Sequence, residues 1–170
     1  MDASYRPEPK AGTELNLQVK ILADYTLAVN DRLKVKFRLS ERFRTWDKPY
    51  RTDMRADVSW TGSRFVFASR FNVLHCVGTG LLGYVEGGYK TGRLSSYLRL
   101  GLYRIDNWDD RIYVYERDAP GNFTVPAFYG RGAWASLTAS WRYSGWGRLY
   151  VRTTIKPGKA ELKLQSVFSF

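Results

Sequence analysis

Between residues 15 and 29 every odd position is apolar: Leu15, Leu17, Val19, Ile21, Ala23, Tyr25, Leu27 and Val29. Asn16, Gln18, Lys20, Asp24 and Thr26 stand between them at even positions. A strand sends successive side chains to opposite faces, so this period gives an extended segment with one oily side; a helix would scatter the same residues around its axis. Its length is the stronger constraint. Ordinary strands run to about 5–6 residues, whereas this one, at ~3.4 Å per residue, would extend on the order of 48 Å. Tilted by ~45°, it would rise about 34 Å and cross the ~25 Å apolar band of an outer-membrane barrel.

The alternation recurs along the chain. Leu33, Val35, Phe37, Leu39 and Phe43 oppose Lys34, Lys36, Arg38, Ser40, Arg42 and Arg44, with Glu41 interrupting the apolar row. Met54, Ala56, Val58 and Trp60 oppose Asp53, Arg55, Asp57 and Ser59; Phe65, Phe67, Phe71 and Val73 oppose Arg64, Arg70 and Asn72. Residues 75–80 read as a loop and 81–89 as a glycine-rich strand with poor alternation. Leu94, Leu98, Leu100 and Leu102 follow, opposite Tyr97, Arg99 and Tyr103. Asp106-Asn107-Trp108-Asp109-Asp110 reads as a solvated turn, 112–116 as a short strand and 118–132 as the longest loop. Strands at about 133–142, 148–155 and 160–170 end the chain. Asn30-Asp31, Trp46 to Pro49, Gly62-Ser63, Thr91-Gly92, Ser144-Gly145 and Pro157-Gly158 supply turn chemistry between the strands. The expectation is an all-β, antiparallel up-and-down meander of about ten strands. It would form a transmembrane-type β-barrel, or the C-terminal segment of a larger one, over residues 14–170, after a loose leader at 1–13.

Alternation alone leaves open which face meets water, since a soluble barrel turns its apolar face inward and a membrane barrel turns it outward. Strand length favours the membrane. So do the aromatics near strand ends (Trp46, Tyr50, Trp60, Tyr89, Trp108, Trp141, Tyr143 and Trp146), because Tyr and Trp suit the membrane–water interface. The last strand places Leu162, Leu164, Phe168 and Phe170 on one face. That ending resembles the signal read by the barrel-insertion machinery of bacterial outer membranes, with Ser166 departing from it. Glu41 would face lipid, which is tolerable only near the interface. The start, Met1 to Pro7, lacks the basic and apolar stretches of a secretion signal, so an exported form would be mature or shortened. No apolar run approaches the ~18 residues of a spanning helix.

Two stretches carry a family resemblance. One runs from Arg104 to Gly121 (RIDNWDDRIYVYERDAPG) and on through Val125 to Gly132 (VPAFYGRG); the other is Pro157 to Gln165 (PGKAELKLQ). They resemble the C-terminal β-barrel part of large helix-hairpin-helix proteins of Bacteroidota, and the likeness extends from about Leu15 onward. It implies residence in a bacterial outer membrane, with upstream barrel strands or an N-terminal helical module as partners. The helix-hairpin-helix module itself is absent from these residues, so DNA binding is not carried over.

The remaining chemistry lies on the polar parity. Lys34, Lys36, Arg38, Arg42, Arg55, Arg70 and Arg99 are expected to face one enclosed side, with Asp24, Asp53, Asp57 and Glu86 interleaved. With 27 Lys and Arg against 16 Asp and Glu, net +11, such a lumen would focus anions or be filled by its own ion pairs. A soluble basic barrel binding an anionic ligand or single-stranded nucleic acid is the alternative. A single-strand groove needs cations and aromatics on one face, however, and here the Phe rows lie opposite the cations. His75 and Cys76 are the only histidine and the only cysteine; as neighbours in the chain they point apart, so no nucleophile–base pair is expected. Asp106, Asp109 and Asp110 lack the glycine and distal glutamate of a calcium loop. No catalytic residue, cofactor or metal is expected, and the partners foreseen are outer-membrane lipid and the insertion machinery.

Overall fold

The computed structural model describes residues 2–5, 16–46 and 50–168. Ten strands form one antiparallel sheet in the order β1(Asp2–Tyr5), β2(Leu17–Ala28), β3(Leu33–Arg44), β4(Tyr50–Thr61), β5(Phe65–His75), β6(Thr79–Lys90), β7(Leu94–Ile105), β10(Gly130–Arg142), β11(Gly147–Lys156), β12(Lys159–Phe168). Each pairs with the next strand of the sheet along the chain, which makes an up-and-down, barrel-like meander. Between β7 and β10, a single 3-10 turn (Trp108–Asp110) and a two-residue hairpin of β8(Ile112–Tyr113) and β9(Ala127–Phe128) leave the sheet. Among the described residues no pairing joins β12 to β1 or β2, so the sheet is open. Asp2–Tyr5, within the expected loose leader, pairs with β2.

The nine long strands have 10 to 13 residues each, about twice the usual length. Their registers bring every parity onto a common side. One face carries Phe37, Ala56, Phe71, Gly83, Leu102 and Ala133 as one continuous cross-strand row. The other carries Arg38, Arg55, Asn72, Leu82, Tyr103 and Gly132 beside them. Two expected extents change. The expected loop at 75–80 shrinks to a turn at Cys76–Gly78, because Leu74 and Gly80 pair and continue the ladder. The excursion expected at 118–132 begins at Asp106.

Burial is inverted relative to a water-soluble sheet. Among the described residues, 33 large apolar side chains are exposed, Leu102 at 69% and Leu164 at 65%, while eight hydrophobics are buried. Those eight lie on the charged face or in the excursion. Leu74, Leu82, Ile105 and Trp134 from the sheet close on Ile112, Val114 and Phe128 from the excursion. The Trp134 ring covers Gly101, where a Cβ would meet it at 2.3 Å.

Candidate functional site

The excursion folds inward over the charged face rather than away from it. Its residues alternate: Ile112, Val114 and Glu116 are buried, while Tyr113, Tyr115 and Arg117 are exposed. Val114 N–H donates to Pro126 O (3.3 Å) and Glu116 N–H to Thr124 O (3.0 Å), which extends the β8–β9 hairpin. The segment is therefore strand-like, with one side fitted to the sheet beneath it.

Asp110 fastens one end. It is fully buried, and its carboxylate accepts the amides of Cys76 (2.8 Å), Val77 (3.1 Å) and Gly78 (2.8 Å) in the β5–β6 turn. Three successive amides converging on one anion form a nest. The expected solvated turn at 106–110 is thus corrected, because the turn's last carboxylate serves as an internal clasp. Gly80 permits the approach; a Cβ there would meet the Asp110 carbonyl oxygen at 2.7 Å. From the far side Arg51 donates to Asp109 O (3.0 Å) and Arg111 O (3.1 Å).

Two charge clusters hold the middle. Glu86, 4% exposed, accepts Arg99 through Nε (3.0 Å) and Nη2 (2.6 Å) on one oxygen and Arg117 Nε (2.9 Å) on the other. Arg99 also donates to Tyr115 O (2.8 Å) and lies 4.2 Å over the Tyr84 ring. In the second cluster Arg152 pairs with Glu116, which is 1% exposed, and donates to Asp118 (3.0 Å) and Thr124 Oγ1 (3.1 Å). Lys163 approaches Asp118 at 3.6 Å. Burial would push the Asp118 carboxyl up, but the bonds from Thr124 and the Ala119 amide, then the charges of Arg152 and Lys163, hold it below the usual carboxylate range. Each cluster ties a charge of the excursion to charges of the sheet. A buried ion pair of this kind contributes little net stability but is costly to break on one side.

All seven cations singled out from the sequence (Lys34, Lys36, Arg38, Arg42, Arg55, Arg70 and Arg99) stand on this face. They are not one cluster. Arg38 and Lys36 pair with Asp24 (2.6 and 3.2 Å), and Arg55 and Arg70 share Asp57 (2.8 and 2.6 Å). Arg99 reaches the excursion through the Tyr115 carbonyl. Glu116, Asp118, Arg117 and Arg152 were not foreseen, and the alternation at 112–116 was the signal that could have placed the first. Leu162, Leu164 and Phe168 lie on the apolar face of β12, while Phe170 lies outside the described residues. His75 ends β5 exposed on the apolar face, whereas Cys76 packs against the inner cluster, and burial pushes its thiol up. Among the described residues no group of three or more metal-ligating side chains forms.

The apolar face has its own boundary. Glu41, Thr52, His75 and Thr79 form one cross-strand row at the excursion end, and Arg104 faces Arg131 beside it. Thr52 Oγ1 donates to Glu41 (2.8 Å). Beyond these rows the face carries no charge on any described strand down to the opposite end, where Trp60, Phe65, Tyr89, Trp141, Tyr143, Trp146 and Phe168 gather. Compared with known proteins, the chain matches no family model and no curated protein.

Proposed function

We propose that this chain belongs to a non-enzymatic β-barrel of a bacterial outer membrane, structural or transport-related, with the apolar face in lipid and the charged face enclosed. One observation carries the reading: an exposed apolar face with charges only in the rows at one end and aromatics at the other. On the apolar face of β7 the uncharged stretch runs from Leu94 to Leu102, about 27 Å along the strand and about 20 Å in height at a tilt of ~40°. An aqueous surface of that extent would be an association hazard; in hydrocarbon it is the required one. Glu41, His75, Arg104 and Arg131 then fall at the interface, where charge costs little.

The inward segment supports a filled interior over β5–β12, held by buried ion pairs. The open edges of β12 and β1–β2 support completion by further strands, because an unpaired ladder edge is costly in lipid. The resemblance to the barrel part of helix-hairpin-helix proteins assigns that role to upstream strands. Refolding into detergent should give a band whose gel mobility changes on heating, and brominated lipid should quench Trp60, Trp141 and Trp146. A folded, monodisperse protein without detergent would overturn the membrane reading in favour of a soluble basic binder.

A further inference from the structure

We propose that the pocket between β2, β3, β4 and the start of the inward segment binds a phosphate-bearing small molecule. The cavity measures about 370 Å³, enough for a phosphorylated sugar or a diphosphate. Arg42 stands directly opposite Lys20 on one side and Arg51 on the other, in a cross-strand row that Asp2 of β1 continues beyond Lys20. Like charges directly opposite destabilise a sheet, and departures from local consistency are expected at functional or strained sites. Arg44 adds a cation from the next row of β3, and Arg111 adds one from the inward segment. Among the described lining residues Asp53 is the one carboxylate.

Two of these guanidiniums are positioned by neutral groups. Arg51 rests on the carbonyls of Asp109 and Arg111; Arg111 donates to Tyr113 Oη (2.8 Å) and Trp108 O (3.0 Å). Such acceptors orient the fork without cancelling its charge. Forked guanidiniums match the geometry of phosphate oxygens, and a lysine beside them supplies a point charge. The assignment depends on the sheet and the inward segment, not on which solvent meets the apolar face.

Calorimetry on the whole folded chain, titrated with inorganic pyrophosphate at physiological salt, tests it. Saturable one-to-one binding is expected. Arg51→Lys, which keeps the charge and loses the fork, and Lys20→Gln, two strands from the Arg51 anchor, should each weaken binding about tenfold or more. Arg93→Gln, in an exposed turn at the opposite end, should not. Absence of saturation, or equal weakening by Arg93→Gln, would overturn the site as diffuse electrostatics. Competition by glucose 6-phosphate would assign a soluble ester; competition only by vesicles containing phosphatidic acid, and not by pure phosphatidylcholine, would assign a headgroup. If neither competes, the phosphate-ester assignment falls. Binding by a detergent-free chain would keep the pocket while removing the membrane reading, so the two failures are distinguishable.

Discussion

Asp110→Ala should release the inward segment while leaving the sheet folded. The carboxylate accepts three amides at 2.8, 3.1 and 2.8 Å, and hydrogen bonds to a charged group contribute ~1.5–3 kcal/mol each. The gross loss is therefore roughly 4–9 kcal/mol, but burying the carboxylate itself costs several kcal/mol, which the alanine no longer incurs. A net loss of about 2–3 kcal/mol follows, and it falls on a local opening rather than on the whole ladder. That figure corresponds to a roughly 30- to 150-fold larger population of the open segment. Hydrogen exchange reads it directly. The Val114 and Glu116 amides, bonded to Pro126 and Thr124, should exchange faster by that factor, together with the Cys76–Gly78 amides, while central β7 amides hold their rate. Asp110→Asn keeps one acceptor oxygen and should fall between the two. Unchanged exchange at Val114 and Glu116 would refute the clasp; equal acceleration in β7 would refute its being local.

Further outcomes follow from the same geometry. Arg152→Met leaves Glu116 without its cation and Asp118 with Lys163 alone, and should cost about 3–5 kcal/mol, read as a lowered denaturant midpoint; Glu116→Gln in the same background should recover part of it. Gly80→Val drives a side chain into the Asp110 carbonyl and should expose Arg111 and Arg117 to trypsin. Because the folded Asp118 carboxyl sits below its unfolded value of ~3.9, its contribution is complete above pH ~4 and disappears as pH falls through the folded value; segment release on acidification should lose this component in Asp118→Asn. On the membrane proposal, Leu100→Arg, in mid-band, should cost about 2–4 kcal/mol in refolding into bilayers, whereas Leu81→Arg, beside Arg104 at the rim, should cost much less.

The difference between what alternation made legible and what it hid has a single physical source. Parity is readable wherever both faces carry side chains, so β3 was legible over its whole length, 33–44, and so was the side taken by each of the seven cations. It fails where glycine removes the side chain. In β6, Gly83 and Gly87 occupy apolar-face positions, and the oily surface there comes from their cross-strand partners Phe71 and Phe67 rather than from β6 itself. A Cβ at Gly83 would already be 3.7 Å from the Phe71 ring; aromatic cover of a glycine is a known means of fixing register. The inward segment was hidden for a different reason. Its prolines, glycines and acids are the residues of solvated loops, and composition cannot say that Glu116 and Asp118 face Arg152 rather than water. What betrays them is supply and demand on the sheet. Arg99 and Arg152 are each less than 10% exposed, and a buried guanidinium requires acceptors. Arg99 finds Glu86 on the neighbouring strand, but Arg152 has Thr138 and Lys163 as its ladder neighbours, neither of them an acid. Glu161, diagonal to it on β12, is engaged by Lys159 and Lys163, and the carboxylates of Arg152 come from the segment leaving β7.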